Sequence, residues 1–131
     1  MRSAGIAFAS VMVMMPLTAF PQDSLDSPNR KELKRVDLSG APTMEVINSL
    51  TEYKPGDEIK LHIHHGVESA YVVQGAMTQA QGKEPSALPT GASVIHLRDV
   101  PHGFKVVGDK SLILFTVHIV DKGKPLYDAP K

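Results

Sequence analysis

Turn signals recur along this chain at intervals too short for long helices to form between them. SGAP at 39–42, KPGD at 54–57, HHG at 64–66, QG at 74–75, QGKEP at 81–85, PTG at 89–91, PHG at 101–103 and VGDK at 107–110 each interrupt regular structure. Between them lie MEVINSLTEY, EIKLHIH, SAYVVQ, AMTQAQ, ASVIHL, GFKVV and SLILFTVHIV. These short stretches are rich in Val, Ile, Leu and Thr and read as strands. No segment sustains a helical period over about 11 residues or more. The fold class that follows is all-β, an antiparallel sandwich or barrel. At 131 residues, one domain fills the chain.

The first residues follow a different logic. Arg2 precedes an apolar run from Ala4 to Leu17, and a polar, acidic stretch begins at Gln22. This layout predicts a secretory signal peptide over 1–21, with a protein in the periplasm or outside the cell and no membrane association once the signal is removed. The predicted remainder divides into a polar arm at 22–40, a barrel at 41–121 and a polar tail at 122–131, whose docking groups are Leu126 and Tyr127. The absence of cysteine excludes disulfides, so the core and any metal must hold the fold. Lys and Arg total 14 and Asp and Glu total 14, and this neutrality argues against a nucleic-acid partner. A small molecule or a second protein chain is the expected partner.

The stretch GDEIKLHIHHGVESAYVVQG, residues 56–75, holds three of the six histidines. Strand alternation puts Glu58, Lys60, His62 and His64 on one face of EIKLHIH, and Ile59, Leu61 and Ile63 on the other. Two readings stand: a solvated polar face, or two imidazoles at i and i+2 gripping one ion. In the second reading a turn at His65-Gly66 brings Glu68 back to the same point. The segment GASVIHLRDVPHGF, residues 91–104, ends in a tight turn that could present His102 as a further ligand. Imidazole with carboxylate suits a divalent transition metal.

Gly56, His62, His64, Glu68 and Gly75 stand at G-x5-H-x-H-x3-E-x6-G, which resembles the first signature of the cupin superfamily. Gly91 and His102 keep two positions of the second signature, whereas Leu97, Asp99 and Val106 replace its proline, glycine and asparagine. The resemblance spans about Met44 to Val120 and implies a single small antiparallel jelly-roll β-barrel. It further implies that His62, His64, Glu68 and His102 hold one divalent ion (Mn, Fe, Ni or Zn) with two coordination positions open. With three neutral imidazoles and one carboxylate such a site attracts an anionic oxygen. The activity implied is that of a metal-dependent enzyme on a small oxygen-rich molecule: a dioxygenase-type oxidoreductase, or an isomerase or decarboxylase. A non-catalytic module that captures a ligand or holds a structural metal is the competing class.

Other residues carry narrower expectations. His118 sits in a strand that is apolar on both faces, where it is either a cavity-lining acid–base or a satisfied core histidine. Tyr71, Met77 and Gln79 are candidates to line the cavity. His65 lies off the ligand face, and His96 reads as a partly buried strand histidine. If His62 and His64 face inward, Ile59, Leu61 and Ile63 form an outward apolar row that needs cover, which predicts a homodimer.

Overall fold

The computed structural model describes residues 25–131, so the predicted signal segment at 1–21 lies outside the described residues. Nine strands follow in order: β1 (Arg30–Asp37), β2 (Met44–Tyr53), β3 (Glu58–His62), β4 (Gly66–Gln74), β5 (Ala76–Ala80), β6 (Ser86–Leu88), β7 (Ser93–His96), β8 (His102–Val107) and β9 (Leu112–Asp121). A five-stranded sheet, β1-β2-β9-β4-β7, faces a four-stranded sheet, β3-β8-β5-β6. Every pairing is antiparallel, and no described residue is helical. This is the all-β antiparallel architecture that the turn spacing predicted, in the small jelly-roll form that the family resemblance implied.

The interior divides into two ends. At one end Tyr53, Ile59, Val72, Ala76, Val106, Leu112 and Leu114 form a hydrophobic core, with Leu88, Ala92 and Phe104 packed against it. At the other end lie His62 at the end of β3, His64 just after it, Glu68 on β4, His102 on β8 and His118 on β9. β9 runs the length of the interior, burying Leu112, Leu114, Thr116, His118 and Val120 in strict alternation.

Three expectations are corrected. The predicted arm at 22–40 contains β1, which pairs with β2 from Arg30↔Thr51 to Asp37↔Glu45. Its polarity is that of a sheet edge: Arg35 meets Glu45 at 2.6 Å, and Arg30 meets Asp26 at 2.7 Å and Ser49 Oγ at 3.0 Å. The polar tail is likewise anchored, since Ile63 and Asp128 exchange main-chain hydrogen bonds of 2.9 and 3.1 Å.

The third correction concerns the apolar row. Ile59 and Ile63 are buried, and only Leu61 of the three is exposed. The cause is a bulge: Ile59 pairs with Phe104 and His62 with His102, so Lys60 and Leu61 together face Gly103 alone. One inserted residue turns Ile59 and His62, three positions apart, to the same side. Gly103 permits it, because a Cβ there would lie 2.7 Å from the Ile59 carbonyl oxygen. The tail bridge then covers Ile63, and the homodimer loses its original ground.

Candidate metal centre

Four side chains converge at the polar end. His62 and His102 are direct cross-strand partners on β3 and β8, and their rings lie 4.3 Å apart. His62 Nε2 is 3.2 Å from His64 Nε2. Glu68 Oε2 is 3.2 Å from His64 Nε2 and 3.2 Å from His102 Nε2. The four predicted ligands are therefore brought together by three segments of backbone: β3 with its exit, β4 and β8.

Each ligand ring is oriented from behind. His62 Nδ1 donates to the Lys60 carbonyl at 2.8 Å, His64 Nδ1 to Leu126 at 2.5 Å and His102 Nδ1 to Val100 at 3.0 Å. A main-chain carbonyl only accepts, so Nδ1 bears the proton in all three neutral rings and the Nε2 lone pair points into the cluster. Two lone pairs 3.2 Å apart beside a carboxylate repel until a cation or proton lies among them. Burial, reinforced by His102 and His64, pushes His62 down to about 4 against the opposing Lys60 carbonyl. Burial alone would raise Glu68, but the His102 and His64 rings beside it, together with His118, favour the charged carboxylate, outweigh burial and hold the carboxyl well below its ordinary range. The donor set is thus neutral imidazole plus carboxylate, which fits a divalent transition metal.

Two further histidines flank Glu68. It is the cross-strand partner of His118 on β9 and of His96 on β7. Ligand atoms of His64, Glu68 and His118, and of Glu68, His96 and His102, lie within 4.8 Å of one another, as do those of His62, His64 and His102. His96 stacks flat on His102, with centroids 3.7 Å apart and planes 5° from parallel. The expectation for His96 as a partly buried strand histidine missed this stack, and its one signal was the register that sets it opposite Glu68. Burial, with His102 beside it, lowers the His96 pKa.

His118 is fully buried, and neither ring nitrogen has a hydrogen-bond partner among the described residues. Its Nε2 stands 3.7 Å from Glu68 Oε1, beyond hydrogen-bond reach, and burial pushes it down to about 4. It lies beside Glu68 and is not among the residues lining the cavity, and with no hydrogen-bond partner it is not the satisfied core histidine of the alternative reading either.

Tyr127 packs its ring 4.7 Å from His62 and 4.8 Å from His64, and burial drives its hydroxyl pKa upward. The tail residue that looked like a docking group is a wall of the site. His65, off the ligand face as expected, ties two loops together: Nδ1 meets Asp99 at 3.1 Å and Nε2 meets Asp128 at 2.9 Å. Asp99 occupies the missing glycine of the second signature and keeps the left-handed backbone there, at φ 58°. A short polar side chain tolerates that conformation, so the turn survives and gains an anion for His65.

A cavity of about 450 Å³ opens beside the cluster, lined by His62, Glu68, His96, His102 and Tyr127 at its floor and by Ile59, Ala70, Leu88, Val94, Phe104 and Leu114 along its walls. Tyr71, Met77 and Gln79 do not line it. Alternation sends Tyr71 and Met77 outward, 52% and 40% exposed, and their neighbours Ala70 and Thr78 inward. Gln79 instead donates to the Lys83 carbonyl at 3.0 Å.

Residues 49–118 match the family model described as Cupin domain. Solved structures of the same fold include a Cupin 2 conserved barrel domain protein from Salinispora arenicola (20% identity, 86% of this chain and 92% of that one, TM-score 0.54). An uncharacterized protein with a double-stranded β-helix domain from Klebsiella pneumoniae matches similarly (20% identity, 84% and 90%, TM-score 0.54). A cupin-like protein from Thermotoga maritima aligns over 68% of this chain at 24% identity with a TM-score of 0.51, and the match spans 65% of that protein's length. No curated protein matches the chain. At these identities the structural likenesses establish the fold alone.

Proposed function

The chain belongs to the Cupin domain family, and from that premise we propose that it binds one divalent transition metal through His62, His64, Glu68 and His102 and acts with it on a small molecule in the adjoining cavity. The observation that carries this reading is the convergence of three Nε2 atoms and Glu68 Oε2, each ring set from behind by a carbonyl. When bound, such an ion supplies Lewis acidity and, if redox-active, dioxygen chemistry, which makes a dioxygenase-type oxidoreductase the leading activity and an isomerase or decarboxylase its variant. The chain contributes the rest. Glu68 offsets the ion's charge, His96 faces the bound molecule, Tyr127 closes one side, and the apolar walls exclude water.

Export belongs to the same reading and rests on the layout of residues 1–21. Sequencing the amino terminus of the protein recovered from its natural compartment tests it. A homodimer remains part of the reading on different support: Tyr71, Ile95 and Leu97 are 52%, 61% and 61% exposed on the outer side of β4 and around β7, the sheet edge. A second copy covers such a face with the same face, burying the patch twice. Sedimentation of wild type and Ile95→Glu decides it, since a monomeric wild type removes the dimer.

Elemental analysis of the purified protein, followed by oxygen-uptake assays, tests the function itself. Metal-free protein whose stability is unchanged by His62→Ala and His102→Ala would sink every metal reading. Metal without turnover of any substrate favours the non-catalytic binding module.

A further inference from the structure

The cavity is polar at its floor, and its walls are mostly apolar, with Thr78, Gln81 and Ser86 as their polar interruptions. Its floor carries His62, Glu68, His96, His102 and Tyr127, whereas Ile59, Ala70, Leu88, Val94, Phe104 and Leu114 surround the space above. A hydroxyl buried against such walls gives up water and receives no hydrogen bond in return. His96 differs from the ligand histidines: it stacks on His102, yet its ring nitrogens have no hydrogen-bond partner among the described residues. It can therefore meet an oxygen at the end of a bound molecule. At the mouth Lys83 and Glu84 stand together, so the rim favours neither charge.

We propose that the cavity selects an amphiphilic acid: a carboxylate-type oxygen head at the floor, beside His96, and an apolar body of about ring size against the walls. This narrows the small oxygen-rich molecule expected from sequence, because a polyhydroxylated body such as a sugar acid carries more hydroxyls than the few polar side chains above the floor, Thr78, Gln81 and Ser86 beside the mouth pair Lys83 and Glu84, can partner. The volume of about 450 Å³ is in the range of small-molecule sites. The inference rests on the metal reading only for the head, since the body is chosen by walls that need no ion.

Cyclohexanecarboxylate and quinate share one carbon skeleton and one carboxylate and differ in four hydroxyls. Calorimetric titration of both acids into the purified protein, with zinc and without, isolates the walls' contribution. Cyclohexanecarboxylate should bind at least about tenfold more tightly in both forms, and Val94→Thr, which adds one hydroxyl to the wall, should narrow the gap about threefold or more. His96→Phe, which keeps the stack and loses the nitrogens, should weaken cyclohexanecarboxylate about tenfold. Quinate binding as tightly or better overturns the inference, as does the absence of binding by both acids in both forms. Failure to bind zinc with the preference intact sinks the metal reading and leaves this one standing.

Discussion

His62 Nε2 and His64 Nε2 face each other across 3.2 Å while each ring donates its Nδ1 proton to a main-chain carbonyl. Each nitrogen would otherwise repel the other, so a cation entering here relieves an existing strain. Zinc or manganese titrated into the metal-free protein should bind at one site per chain, and a concentration of 100 times Kd should add about 2.7 kcal/mol of stability. His62→Ala or His102→Ala should weaken binding by more than the roughly 10–100-fold seen for outer-shell losses. Calorimetry giving unchanged affinity for both variants would refute the assignment.

Leu126 gives the tail a role in that affinity. Its carbonyl is the acceptor that sets the His64 ring, and Tyr127 covers the same ring. Removing residues 125–131 should therefore lower metal affinity about 10–100-fold, the cost of losing one outer-shell partner. If the truncated protein binds the ion as tightly as the full chain, the tail is cover and nothing more.

Gly103 is the hinge point of the bulge that aims His62 and His102 together. A Cβ there meets the Ile59 carbonyl oxygen at 2.7 Å and the Leu61 nitrogen at 3.1 Å, both rigid backbone atoms. Gly103→Ala should cost about 1–3 kcal/mol in urea unfolding and weaken metal binding as well. Loss of neither would mean that the strands part there without effect.

Acid should destabilise the metal-free protein earlier than its carboxylates alone would allow. His62 and His118 are both held down to about 4 by burial, and unfolding returns them to the ordinary 6.5. Between those limits the unfolded chain takes up protons that the folded chain excludes. Their contribution is complete above about pH 6.5 and is lost as pH falls toward about 4, at about 1.4 kcal/mol per pH unit for each ring. Glu68, held well below 4.5, adds a loss of the same sign at lower pH. Urea midpoints at pH 7.5, 6 and 5 should fall in that order, and a flat series would mean that these rings are hydrated.

Strand positions were legible because turn chemistry and β-branched runs are local properties. MEVINSLTEY coincides with β2, and SLILFTVHIV begins one residue before β9. β1 was not legible, because RKELKRVD carries the charges of a strand at a sheet edge and shows no apolar alternation. Spacing grouped His62, His64 and Glu68, since each side chain's direction depends on a few neighbouring residues, whereas His102 joined them through its tight turn and the family resemblance. The direction of Ile59 did not follow that rule, because the bulge is set across the ladder by Gly103.

The sequence by itself determined the all-β class, the family and the four candidate ligands, all of which depend on residue type and short spacing. Only the tertiary structure decided what surrounds them. His96 and His118 flank Glu68 through register with two other strands, the tail supplies Leu126 and Tyr127 from some sixty residues away, and alternation carries Tyr71 and Met77 out of the cavity. Those relations belong to strand pairing and chain closure, where one inserted residue reverses a face, and no local pattern encodes them.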